Sequence, residues 1–75
     1  MTLTVLYFAA LREEKGISSE TLEKVESMTV EELFYLLFNR PHLGIRFALN
    51  QHYVTADTVL EDGDEVAFLP PLGGG

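Results

Sequence analysis

The sequence predicts an α+β fold in which one mixed sheet of four to five short strands packs on a single main helix. Three observations carry this reading. One segment has a long amphipathic helical pattern with its own start signal, and short β-branched and aromatic runs flank it on both sides. The 75 residues also leave room for only one core. A chain of this size buries roughly 60% of the surface exposed by its unfolded form. With 47% hydrophobic and 23% charged residues, the composition suits a globular domain.

The elements follow in order. "TLTVLYF" (2–8) is rich in β-branched and aromatic residues and reads as a strand. Leu6 and Phe8 make its second face apolar as well, so it is expected to be central and covered on both sides. "AALREEKG" (9–16) contains good helix formers and stops at Gly16, which predicts a short helical turn. "ETLEKVE" (20–26) sets Leu22 and Val25 among charges and reads as an edge strand protected from edge-to-edge pairing. "TVEELFYLLFN" (29–39) is the main helix. Thr29 with Glu32 three residues on makes a capping box, and Glu31 and Glu32 sit where the helix dipole favours anions. Val30, Leu33, Phe34, Leu37 and Phe38 form its apolar face, and Arg40-Pro41 is expected to end it.

"IRFALN" (45–50) and "YVTA" (53–56) read as two short strands joined by a turn at Asn50, Gln51 and His52. Asp62-Gly63-Asp64 is a tight turn in which Gly63 can take positive φ. It launches a strand over 65–69 with Val66 and Phe68 on one face, and Pro70 closes the pairing because it has no N–H to donate. This order corresponds to the ubiquitin-like β-grasp, with 2–8 and 65–69 expected as central neighbours. Residues 1–69 then form the domain, and 70–75 form an extended, flexible C-terminal tail.

Composition excludes several functions. Twelve Asp/Glu against five Lys/Arg give a net charge of −7, which disfavours nucleic acid and anionic membrane and favours a basic protein surface. The absence of cysteine excludes disulfides, thiolate metal sites and cysteine nucleophiles, and it fits a reducing cytoplasm. No apolar run approaches the ~18 residues of a membrane span, and no basic segment precedes the first strand. His42 and His52 lack a third ligand at metal spacing, so no metal site is expected. Asp57, Asp62 and Asp64 read as turn formers rather than a calcium loop. Ser18 and Ser19 have no histidine partner at a spacing that would make either a nucleophile.

The chain ends "FLPPLGGG" (68–75), and this stretch carries the chemistry. The six residues 70–75 can reach roughly 20 Å when extended. Pro70 and Pro71 stiffen the base of that arm, Leu72 follows, and Gly73, Gly74 and Gly75 can thread a channel too narrow for side chains. The reactive group delivered is the α-carboxylate of Gly75. Once converted to an acyl-adenylate by ATP, such a carboxylate is open to attack by an amine or by a sulfur donor. A plain disordered terminus is the competing reading of a bare glycine run.

Three stretches, "VLYFAALRE" (5–13), "LNQHYV" (49–54) and "LEDGDEVAFLPPLGGG" (60–75), resemble the small, sulfur-carrying subunits of molybdopterin synthase, within the ubiquitin-like β-grasp sulfur carriers. With the helix between them, the resemblance covers the whole chain. It implies that an adenylating enzyme related to ubiquitin-activating enzymes activates Gly75 with ATP and magnesium. A sulfur donor then yields a thiocarboxylate, so that sulfur is carried covalently and no cofactor is bound. It further implies insertion of the tail into the large catalytic subunit, in a heterotetramer, with delivery of sulfur to cyclic pyranopterin monophosphate. The active-site pocket belongs to that large subunit, so the small subunit is not expected to catalyse alone.

Carried over by position, Gly75 is the activated residue and Gly74 its partner in the motif, while Gly73 stands where the family varies. Phe8, Tyr53 and Leu69 match an apolar surface facing the large subunit. Ordinary strand packing is the alternative for Phe8 and Tyr53, and Leu69 stands where relatives often carry an aromatic. A sulfur carrier for thiamine or cysteine synthesis, a ubiquitin-like modifier attached to lysines, and a plain interaction domain are the competing functions.

Overall fold

A computed structural model describes residues 1–71. Strand β1 (Leu3–Tyr7) leads into helix α1 (Ala9–Lys15), followed by β2 (Ser19–Leu22), α2 (Val30–Phe38), β3 (Arg46–Leu49), β4 (His52–Val54) and β5 (Glu65–Leu69). The strands form one mixed sheet in the order β2-β1-β5-β3-β4. β1 and β5 run parallel, pairing Val5 with Val66 and Tyr7 with Phe68. The other pairings, β1–β2, β3–β4 and β3–β5, are antiparallel. The expected pairing of the first and last strands is therefore present, and β5 lies at the centre of the sheet.

Helix α2 forms where its start signal stands. Thr29 and Glu32 make the reciprocal capping box. The first free amides are satisfied in turn. Val30 N–H donates to the Thr58 carbonyl, Glu31 N–H to that of Ala56, and Glu32 N–H to the Thr29 hydroxyl. The helix ends one residue earlier than Arg40-Pro41 implies. Asn39 takes a left-handed conformation at φ 56 and donates its N–H to the Tyr35 carbonyl, a cap that asparagine tolerates well. The same geometry closes α1, where Gly16 sits at φ 76.

Three further boundaries differ from expectation. β2 spans 19–22 rather than 20–26, because Lys24 turns left-handed at φ 59 and β1 offers no partner before Leu3. It remains an edge strand, as its charges predict. The β3–β4 turn has two residues, not three: Asn50 and Gln51 both have positive φ (51 and 71), as a type I′ hairpin requires, and His52 already pairs with Leu49. β4 then stops at Val54, where Thr55 and Asp57 bond side chain to side chain at 2.6 Å and start a turn. Gly63 adopts φ 86, as predicted, between aspartates used as turn braces. Asp62 accepts from Thr2 N–H, and Asp64 accepts from Glu61 N–H and the Asn50 amide.

Both helices cover one sheet face, and the core lies between. Inward residues Leu3, Val5, Tyr7, Phe47, Val66 and Phe68 meet Leu11, Val30, Leu33, Phe34 and Phe38. Phe34 and Phe38 stack at 4.6 Å, and Phe68 meets Phe34 edge-on at 5.3 Å. The expectation that β1 is covered on both sides fails. Its alternate residues Thr4 and Leu6 are only half-buried, and Phe8 beyond it is 41% exposed, because no helix lies over that face.

Tyr7 is 1% exposed and donates its hydroxyl proton to Glu20 at 2.5 Å. Burial, then the bond to Glu20 and its charge, raise the phenol well above its ordinary value near 10. Because the folded chain holds this proton more tightly, its contribution is full below about pH 10 and is lost as pH rises beyond it. Tyr7→Phe is expected to lower stability by about 1–3 kcal/mol at pH 7 and to flatten the alkaline decline, as measured by urea unfolding. An equally steep alkaline decline in the variant would place its origin elsewhere.

Candidate functional site on the open sheet face

Alternation along the strands determines what the uncovered face presents. Opposite the buried Val5, Tyr7, Val66 and Phe68 lie Thr4, Leu6, Glu65, Ala67 and Leu69. The register then aligns Leu6 with Ala67, Ala67 with Ala48, Ala48 with Tyr53, and Leu69 with Arg46. Small Ala48 and Ala67 thus sit in the middle, with larger apolar groups around them. A shallow groove results, lined by Leu6, Phe8, Ala48, Tyr53, Ala67 and Leu69, with Gln51 and Glu65 at its edge.

The three surface residues expected from sequence, Phe8, Tyr53 and Leu69, all border this one groove. Phe8 is 41% and Tyr53 70% exposed, which excludes ordinary strand packing as the reason for either. Leu69 is half-buried at the end of β5. Sequence reasoning missed Leu6 as an open-face residue and missed Ala48 and Ala67 altogether. Alternation around Val66 and Phe68 was the signal that could have placed Ala67 outward, but only the register brings Ala48 beside it.

The tail departs from the same face. Pro70 is half-buried and Pro71 exposed, and they line a cleft with Gly44, Arg46, Tyr53 and Leu69. Gly44 has φ 77, and a Cβ there would stand 3.7 Å from Cγ of Pro71, so the α2–β3 loop lies against the base of the arm. Loop and strand therefore flank the exit together. Leu72, Gly73, Gly74 and Gly75 lie outside the described residues.

Electrostatics divide the molecule. Among the described residues Arg40 pairs with Glu14 at 2.5 Å, and His42 Nδ1 lies 3.7 Å from a Glu31 carboxylate oxygen, so these contacts involve α1, α2 and the loop after α2 rather than the open face. The guanidinium beside Glu14 holds that carboxyl below its ordinary range, and the pair is too exposed to add much stability. Among the described residues no three His, Cys, Asp or Glu side chains are gathered as a metal site would need. Among them also, no helix is long and apolar enough to cross a membrane. Open and apolar, this face is suited to binding, and the cleft lined by Pro70 and Pro71 lies beside it.

Comparison with known proteins identifies the family of the chain. The chain is 41% identical to the molybdopterin synthase sulfur carrier subunit of Chlamydomonas reinhardtii, with all of both chains covered. Among solved structures, a putative molybdopterin converting factor subunit 1 from Pyrococcus furiosus superposes with a TM-score of 0.77 at 28% identity, covering 96% of this chain and 99% of that one. A complex of subunits 1 and 2 of the molybdopterin-converting factor from Helicobacter pylori contains a chain matching at TM-score 0.64 and 27% identity, with all of both chains covered. The fold is thus the ubiquitin-like β-grasp of these carriers. A family model matches residues 5–75, from β1 through the glycine run, and by that match the chain belongs to the ThiS family.

Proposed function

We propose that this protein is the sulfur-carrier subunit of a molybdopterin synthase, acting in the cytoplasm with no resident cofactor. The observation that carries this reading is the end-to-end match to sulfur carrier subunits of that enzyme, 41% identical to the algal protein. The fold supports it by placing an apolar face and the tail exit side by side. The carboxylate of Gly75 attacks the α-phosphate of ATP on an adenylating enzyme, and pyrophosphate leaves. Hydrosulfide then displaces AMP from the acyl carbon and leaves a thiocarboxylate. With a persulfide donor the attack gives an acyl disulfide, whose S–S bond a second thiol reduces, releasing the thiocarboxylate and forming a disulfide on the donor. The open face seats the large catalytic subunit in a heterotetramer, the arm enters that subunit's pocket, and sulfur passes to cyclic pyranopterin monophosphate. Two charged copies are consumed per pterin, because the dithiolene needs two sulfurs.

In this scheme the chain supplies a reagent and an address. Pro70 and Pro71 hold the arm's base extended, and the glycines admit it to a narrow channel. Leu72 joins the two.

Incubation with the cognate adenylating enzyme, ATP-Mg and a sulfur source is expected to raise the intact mass by the difference between sulfur and oxygen. An unchanged mass with an enzyme active on another carrier would refute the proposal. Supplying the charged protein to the large subunit with the pterin precursor then separates this acceptor from those of other sulfur-carrier pathways. Isopeptide-linked remnants of Gly75 on lysines would instead identify a protein modifier.

A further inference from the structure

The open face is not charge-neutral along its length. Arg46 is the one Lys or Arg carried by any of the five strands. It begins β3 opposite Leu69, at the end of the sheet where the tail departs, and is exposed. Its guanidinium lies over the Tyr53 ring, 5.6 Å from the centroid, which holds the planar cation on this face. No carboxylate among the described residues pairs with it, although the chain carries twelve Asp/Glu. By contrast, Arg40 is paired with Glu14, and Lys15 donates to the Leu37 carbonyl on the helical side.

At the other end of the face stands Glu65, on the groove edge and level with Thr4 of β1. Four residue steps along β5 take the strand from Glu65 to Leu69, or roughly 13 Å. A cation therefore marks the tail end of an apolar patch and a carboxylate marks the far end. Apolar contact is non-directional, and a shallow patch centred on two alanines does little to choose between a seating and its reverse. The tail leaves from one end only, so a reversed partner would have its channel at the wrong edge. Charges placed at the two ends fix that choice.

We propose that Arg46 orients docking of the large catalytic subunit by taking a carboxylate on the rim of the channel that admits the tail. Glu65 takes a cation of that subunit at the opposite edge. This rests on the proposed function and names the chemistry of the partner surface.

The test measures binding of the purified large subunit from the same source to the wild-type chain, Arg46→Glu, Arg46→Lys and Arg46→Glu combined with Glu65→Arg, over a range of salt. Arg46→Glu is expected to weaken binding by about tenfold or more, to slow association and to flatten the salt dependence. Arg46→Lys keeps the charge and most of the affinity. The double variant preserves net charge but reverses the face, and it is expected to bind more weakly than Arg46→Glu.

Binding of Arg46→Glu within about twofold of wild type, with the same salt slope, overturns the proposal. So does a double variant restored to wild-type affinity, since that would make net charge the determinant. Charging of every variant is followed by intact mass. A wild-type chain that charges and binds beside an unaffected Arg46→Glu sinks this inference alone. A wild-type chain that does not bind the large subunit sinks the functional reading with it.

Discussion

Removal of Gly75 is expected to abolish charging by the adenylating enzyme while leaving folding almost untouched. The deleted chain would present the carboxylate of Gly74, drawn back by one residue, or about 3.5 Å of extended chain. Reacting groups must meet within a few tenths of an ångström of their productive separation, and a misplacement of about 1 Å already costs on the order of a hundredfold. Adding one alanine after Gly75 is expected to fail as well, since it moves the reactive carbon forward and introduces a Cβ into a channel suited to glycine. Neither change alters a core residue, and among the described residues the last buried one is Phe68. The thermal midpoint should therefore move by less than the roughly 4–8 °C that 1 kcal/mol produces in a domain of this size. Intact mass reads the charging and calorimetry reads the stability. Full charging of the shortened chain would remove Gly75 from the chemistry, and a large fall in midpoint would show the tail to be part of the fold.

Ala67→Glu is expected to weaken binding of the large subunit at least a hundredfold. Ala67 lies outward on the central strand, between Leu6 of β1 and Ala48 of β3, in the middle of the open groove. A methyl group there lets a partner surface approach the sheet. A glutamate would both hold the surfaces apart and strand a carboxylate in a desolvated interface, where loss of hydration far exceeds any gain. A hundredfold corresponds to about 2.7 kcal/mol. The isolated chain should lose less than about 1 kcal/mol, because the new side chain reaches solvent and the inward neighbours Val66 and Phe68 are unaltered. Isothermal titration with the large subunit, beside urea unfolding of the free chain, measures both quantities. Wild-type affinity in this variant would move the docking surface elsewhere.

The two predictions touch parts of the molecule that differ in how far sequence could disclose them. The capping box at Thr29 and Glu32, the left-handed Gly63 and the alternation of Val66 with Phe68 are local signals. Each depends on residues within one turn or one strand, and each appears as read. Three of the misread boundaries share a cause. Lys24, Asn39, Asn50 and Gln51 all take positive φ without being glycine, and nothing in the residue types alone requires it. In the hairpin, right-handed strand twist favours the tighter turn, so pairing between β3 and β4 determines the residues at its tip.

The same division holds for the site. Phe8, Tyr53 and Leu69 came from a family resemblance, and their joint placement on one groove depends on three separate strand pairings. Leu6 and Phe8 looked like a second buried face because apolar character says nothing about which side receives a helix. Both helices pack on the inner face, where the aromatic cluster of Phe34, Phe38, Phe47 and Phe68 closes the core, and the outer face is left open.

By itself, then, the sequence determined an acidic, cysteine-free β-grasp domain with a Pro-Pro pair ahead of a glycine run, because charge, capping and alternation are written in neighbouring residues. Only the tertiary structure decided that β1 is bare on one side, that Ala48 meets Ala67, and that Arg46 stands across from Leu69 beside the tail's exit. Those facts depend on strand register and on which face the helices cover. Both are settled by long-range packing between residues that are far apart in the chain.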